Sequence, residues 1–151
     1  MLHHPTASDS DAIGAILASG LYIVLAITRC DGPPHLVSMN YGHHDGCIYL
    51  HSGLSGSKVT AWTATPQVSF TVVSNTELVT GATACRWSMR FRSLVGQGRI
   101  ERVTDPAECL LGLDALMRHY GSEVNTYDSR VMEQTAIWRL TVEQISVREK
   151  T

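Results

Sequence analysis

The chain lacks the features that mark most functional classes. Its 151 residues carry 12 Lys and Arg against 14 Asp and Glu, a formal net charge of -2, so it has none of the basic excess that a nucleic-acid surface requires. The basic residues that do cluster, Arg86, Arg90, Arg92, Arg99 and Arg102, are spaced for a strand rather than a basic helix. The longest apolar run, Leu21 to Ile27, is too short to span a bilayer, and no polybasic segment offers a membrane-binding surface. No positively charged leader precedes that run, which makes a cytoplasmic location the default expectation. The four cysteines, Cys30, Cys47, Cys85 and Cys109, form no CxxC pair. Neither a zinc site nor a dithiol redox centre is therefore indicated, and reduced, mostly buried thiols are expected. No GxGxxG loop is present to hold a dinucleotide, and no carboxylate pair or nucleophile triad stands out.

What is present begins with IYLHSGLSGSK, Ile48 to Lys58. An apolar strand runs into a loop of serines and glycines and ends in one cation. Serine hydroxyls and backbone N–H groups freed by glycine can converge on phosphate oxygens, with Lys58 as a point charge. Lys58 to Thr65 then reads as a short helix stopped by Pro66, its positive end toward the same anion. A lysine at a helix start is electrostatically disfavoured, which makes a bound anion the more economical explanation of Lys58.

The rest of the chain reads as one domain over residues 1–151, mainly β with short flanking helices. Ser8 or Ser10 can cap a helix through Ala12, Ile16 and Leu17 that Gly20 ends. Strands follow at Leu21–Thr28, His35–Tyr41 and Cys47–Ser52, expected to pair as an antiparallel meander. His3 and His4 read as tail, and His43 and His44 as solvated turn. Gln67–Val73 is a strand with Val68, Phe70 and Val72 on one face. Met89–Val103 is a long strand in which Gly96 and Gly98 mark bends. Asp105, Pro106 and Glu108 supply an N-cap, an N1 proline and a capping-box acid for a helix whose core stripe is Leu110, Leu113, Met117 and Tyr120, closed by Gly121. Ser122–Glu133 has no clear assignment, and Thr135–Val147 is a last strand with one break. Six or seven strands and three short helices imply a small antiparallel barrel. Trp62 and Trp138 suit its core or an interface.

Taken in order, HLVSMNYG at His35–Gly42, IYLHSGLSGSK, Ala64-Thr65-Pro66 before QVSF, ACRWSMRFRSLVGQGRIE at Ala84–Glu101 and the tail TAIWRLTVEQISVRE resemble the flavin-binding split-barrel proteins related to pyridoxamine 5'-phosphate oxidase. Within that group the chain is most similar to the 5-nitroimidazole resistance branch, over about Leu21 to Glu149. The resemblance implies a split β-barrel homodimer with FMN in a cleft at the dimer interface. Ser38, Met39, Asn40 and Tyr41 would run along one edge of the isoalloxazine ring. His51 and Ser52 would lie near the ribityl chain, and Gly56, Ser57 and Lys58 would bind the phosphate. Arg92 and Ser93 would reach that phosphate from the long strand, and Trp87 or Trp138 of a second copy would cover the ring. Two positions depart from the branch: Ser38 stands where it usually has proline, and Ser57 where it has a second basic residue. A substrate-binding C-terminal signature of the full oxidase is missing, which argues against oxidation of pyridoxamine phosphate.

The implied activity is oxidoreduction at FMN with small-molecule electron donors and acceptors, a nitro-aromatic compound being the acceptor the branch suggests. His51 is the one catalytic candidate, since a neutral imidazole could hydrogen-bond substrate or cofactor. No metal is indicated. The alternatives are a non-catalytic flavin carrier or sensor, deazaflavin F420 in place of FMN, and haem held by His51 or His119.

Overall fold

The computed structural model describes residues 7–150. Its elements are α1 (Ala7–Ser19), β1 (Ile23–Ile27), β2 (His35–Met39), β3 (Gly42–His44), β4 (Cys47–Gly53), α2 (Ser57–Ala64), β5 (Gln67–Val79), β6 (Ser88–Val103), α3 (Pro106–His119), α4 (Ser129–Met132) and β7 (Thr135–Lys150). A single 3-10 turn, Ala84–Arg86, precedes β6. His3 and His4 lie outside the described residues. Ser10 sits inside α1 rather than capping it, while Gly20 ends the helix as expected, its N–H bonded to the carbonyl of Ile16 at 2.9 Å.

The seven strands form one antiparallel sheet in the order β2-β1-β5-β6-β7-β4-β3. This overturns the expected meander, because β4 pairs not with β2 but with β7, from Cys47 opposite Thr141 to Gly53 opposite Thr135. Turn chemistry reports only local pairing, and the partner of β4 lies more than eighty residues downstream. β2 and β3 occupy opposite edges of the sheet, yet only Asn40 and Tyr41 separate them. Three residue steps reach about 11 Å at most. The sheet must therefore curl until its edges nearly meet, without pairing, which makes it a split barrel.

Alternation along the strands then sorts the side chains. Ile23, Leu25 and Ile27, Val68, Phe70 and Val72, Leu94, Ile100 and Leu140 point inward to one core. Trp62 from α2 joins them, 1% exposed, with its ring edge-on to Trp138 at 5.0 Å. The break expected in the last strand is a bulge, since Gln97 faces Gln144 while Gly98 faces Val142, leaving Glu143 extra. A second, smaller core forms where α3 covers the outer face of β4 and β7, with Tyr49, Val103, Leu113, Ala115 and Ile137.

α3 begins as its sequence requires, the Asp105 carboxylate accepting from the Glu108 N–H at 3.0 Å. The Glu108 side chain closes no capping box. It accepts instead from Tyr49 Oη at 3.2 Å and Arg139 Nη1 at 2.8 Å. Burial, then the Glu108 charge, pushes the Tyr49 phenol up to about 12. The helix also presents a different face from the apolar stripe. Leu110 is 48% exposed, and Gly112, Leu113, Ala115 and Leu116 are buried. Small residues win because the helix lies directly on β3. A Cβ at Gly42 would meet the Leu116 nitrogen at 2.3 Å and the Ala115 carbonyl carbon at 2.4 Å.

The C-terminal end of α3 is clasped to the link between α1 and β1. His119 Nε2 lies 2.7 Å from the Gly20 carbonyl, Tyr120 Oη donates to that of Leu21 at 2.8 Å, and buried Tyr41 donates to that of Leu17 at 2.6 Å. His43 belongs to this cluster, half-buried and edge-on to His119 at 6.2 Å, rather than to a solvated turn. The cysteines also differ from expectation. Cys30 and Cys85 are exposed, while Cys47 and Cys109 are half-buried against the smaller core.

Two outcomes follow. Gly42→Ala must push α3 off β3 and is expected to lower stability by about 1–3 kcal/mol, read from the urea midpoint. Burial, then His119 and His44, hold the His43 imidazole below its ordinary value of 6.5. Above 6.5 both folded and unfolded chains carry it neutral. Below 6.5 the unfolded chain binds the proton first, so stability falls with decreasing pH until the lower folded value is reached. His43→Gln should flatten that limb of the stability profile, and an unchanged limb would assign it to other groups.

Candidate functional site

β4 leads directly into the site. Its inward and outward alternation leaves His51 exposed on the outer face and turns Ser52 inward, 9% exposed. Ser52 Oγ accepts from Trp138 Nε1 at 2.9 Å and donates to the Gly53 carbonyl at 2.7 Å. Ser52 therefore fixes Trp138 inside the barrel, and its hydroxyl is already committed. Trp138 is accordingly core, while Trp87 is exposed at 54%.

The chain leaves β4 through Leu54, Ser55 and Gly56. Gly56 takes φ 123° and ψ 174°, a backbone conformation closed to L side chains, with open space where a Cβ would be. The chain can thus enter α2 with no side chain lying over the helix end. No side chain caps α2, and no acidic residue lies in its first turn. The N–H groups of Ser57, Lys58 and Val59 are consequently the orphan donors of a helix start. Among the described residues no protein acceptor takes them. α3, by contrast, has Asp105 on its donors. Ser57 is exposed and Lys58 half-buried beside them, and Lys58 pairs with no carboxylate among the described residues. This end of α2 fits a phosphate, which needs several neutral donors and a cation.

Of the four residues expected along a ring edge, only Ser38 and Asn40 expose their side chains. Met39 and Tyr41 turn into the core, 9% and 0% exposed, so they present backbone alone to the gap between the sheet edges.

Arg92 and Ser93 do not join the phosphate end within one chain. Val59, in the first turn of α2, lines a cleft with Arg99 to Arg102 of β6. Arg92 lies at least seven residues from that stretch along β6, more than about 20 Å at strand rise. Its guanidinium pairs with Glu149 at 3.1 Å. The sequence placed it on the neighbouring long strand, but only the register reveals that it lies at the wrong end.

Sequence reasoning missed the loop after β1, which reads as a turn alone and also lines a cleft. Thr28, Arg29, Cys30 and Asp31 form one wall of a cleft of about 460 Å³, and Ser57, Thr60, Ala61, Ala64 and Thr65 of α2 form the other. A second cleft, about 440 Å³, lies on the opposite flank of α2 between Trp62 and Arg99 to Arg102. A third, about 280 Å³ and mostly apolar, lies between α1 and the β7 bulge, at the other end of β4 from His51. Among the described residues no three metal-binding side chains converge, and no helix is long and apolar enough to cross a membrane.

Comparison with known proteins agrees with the fold. A family model described as pyridoxamine 5'-phosphate oxidase matches residues 9–149. No curated protein matches in sequence. Among solved structures, a protein described as a 5-nitroimidazole antibiotic resistance protein from Bacteroides thetaiotaomicron is similar at 27% identity and TM-score 0.82, covering 97% of this chain and 93% of its own. An FAD-binding protein from Mesorhizobium loti is 24% identical, TM-score 0.67, with 100% and 99% of the two chains covered. An FAD and haem binding protein from Mycobacterium smegmatis is 19% identical, TM-score 0.79, with 97% and 72% covered. At these identities the last two share the fold.

Proposed function

The chain belongs to the pyridoxamine 5'-phosphate oxidase family, and from that premise we propose that it binds FMN and acts as an oxidoreductase on a small acceptor, a nitro-aromatic compound or a second flavin. The observation that carries this reading is the uncapped N-terminus of α2, opened by Gly56 and flanked by Ser57 and Lys58. Similar folds include proteins described as FAD-binding and as a 5-nitroimidazole resistance protein, which supports a flavin and a nitro-aromatic acceptor.

Bound FMN supplies electron and hydride transfer at its ring, which requires no acid or base from the protein. The residues here bind and orient. The N–H groups of Ser57, Lys58 and Val59 donate to phosphate oxygens, the Ser57 hydroxyl adds a further donor, and the Lys58 ammonium balances charge. Ser38 and Asn40, at the β2 edge, offer hydrogen-bonding groups to the rim of a flat ring. His51, exposed at the end of β4, is the group free to hold or move a proton at its imidazole nitrogens toward an incoming substrate. His119 is a poor haem ligand, because its Nε2 is already engaged by the Gly20 carbonyl.

We also read the protein as a homodimer. The outward positions of β2, β1, β5 and β6 from Leu36 across to Val95 are uncharged, with Leu36 65% and Val95 49% exposed and Tyr22 and Val73 beside them. The face mixes Val24, Ala26, Leu36, Val73 and Val95 with Ser38, Ser69, Thr71, Ser93 and Gln97. A solvent-facing sheet surface ordinarily carries charge, and an uncharged one of this breadth suits a partner. Ser38 and Ser93 lie on this face, so a second copy seated there would cover the Ser38 edge.

Lys58→Ala removes a charge-assisted contact of about 1.5–3 kcal/mol, and FMN affinity by fluorescence titration should fall about 10- to 100-fold. Unchanged affinity would move the phosphate elsewhere. The NADH- or NADPH-driven reduction of a nitro-aromatic acceptor should fall with it at limiting FMN. FMN binding without any turnover would make the protein a carrier or sensor. Val95→Lys is expected to halve the mass measured by light scattering, and an unchanged mass would place the dimer contact on another face.

A further inference from the structure

We infer that Arg29, on the loop between β1 and β2, is the second cation of the phosphate site, reaching across the cleft beside α2. This rests on the proposal that α2 receives the FMN phosphate. That phosphate carries about two negative charges near neutral pH. Lys58 neutralises one. Arg92, the other cation expected there, lies more than about 20 Å away along β6.

Arg29 and Ser57 line opposite walls of the same cleft of about 460 Å³. The α2 wall, Ser57, Thr60, Ala61, Ala64 and Thr65, is built of short side chains that leave the cleft open for a guanidinium and an anion together. Asp31 is the one carboxylate lining it, and it holds Arg29 through bonds of 3.2 and 3.3 Å. The Asp31 carboxyl is 75% exposed and the Arg29 side chain 42% exposed. An exposed pair of neighbouring residues contributes little, so the guanidinium can turn to a phosphate at small cost. Arginine suits the task through its permanent positive charge on a long side chain, which a lysine at the same position would share. The pair with Asp31 then serves to park the cation beside the site when no phosphate is present.

The test uses the purified full-length protein, with FMN and riboflavin as paired probes followed by flavin fluorescence. Riboflavin lacks only the phosphate. Arg29→Gln is expected to weaken FMN binding about tenfold and leave riboflavin binding unchanged, and Arg29→Lys, which keeps the charge, to retain FMN affinity within about threefold of the natural chain. Equal losses for FMN and riboflavin, or equal losses in the Gln and Lys variants, would overturn the assignment by showing a merely structural effect. So would an unchanged FMN affinity in Arg29→Gln while Lys58→Ala weakens it. If the natural chain binds FMN no better than riboflavin, the phosphate reading itself fails, and that result is distinct from a failure of Arg29 alone.

Discussion

The two-residue link at Asn40 and Tyr41 is the constraint on which the rest of this molecule depends. It ties the outermost strands of a seven-stranded sheet together at one point while no ladder joins them. The sheet must curl, so its inward-facing residues converge on one core, and it cannot close, so a gap remains between two unpaired edges. Tyr41 anchors the link. Its ring is fully buried, and its hydroxyl donates to the end of α1, which together with α3 packs around this junction. An open edge usually invites unwanted pairing. Here the gap lies beside the outward donors of β2 and the exposed loop after β4.

α2 then uses that geometry. Trp62 fills the barrel beneath it and packs on Trp138, which Ser52 orients by a hydrogen bond. Burying two tryptophans fixes where the helix lies, and the fixed helix fixes where its unpaired N–H groups point. The inside of the barrel thus determines the position of an anion-binding end on its outside. Among the described residues the Trp62 Nε1 is left without a partner in this packing, a local cost that a large apolar ring in a dry core can offset.

Much of this was legible in the chain. Alternation of Val68, Phe70 and Val72 identified β5, the Asp105-Pro106 cap placed α3, and the Ser-Gly loop ending in Lys58 marked the start of α2 to within a residue. Each is a local signal, carried by neighbours in sequence. What failed required long-range register. The pairing of β4 with β7, the distance of Arg92 from α2, and the choice of Leu116 over Leu110 as the buried face of α3 all depend on which strands and backbones meet. His43 looked solvated because its partners, His119 and the end of α1, are remote in sequence. Arg29 was hidden behind the turn signal of Asp31 and Gly32, and only the fold brings its loop to the same cleft as Ser57.

The central claim is that the uncapped end of α2 holds the phosphate of a flavin. The most direct measurement is the phosphorus NMR spectrum of FMN mixed with the protein in limiting amount, compared with free FMN. The account predicts a shifted and broadened phosphate resonance that stays dianionic to lower pH than in solution, because the α2 donors and Lys58 favour the charged form. A resonance that keeps the position and titration of free FMN, while the flavin remains bound after filtration, would mean that the phosphate faces solvent and that α2 is not its site.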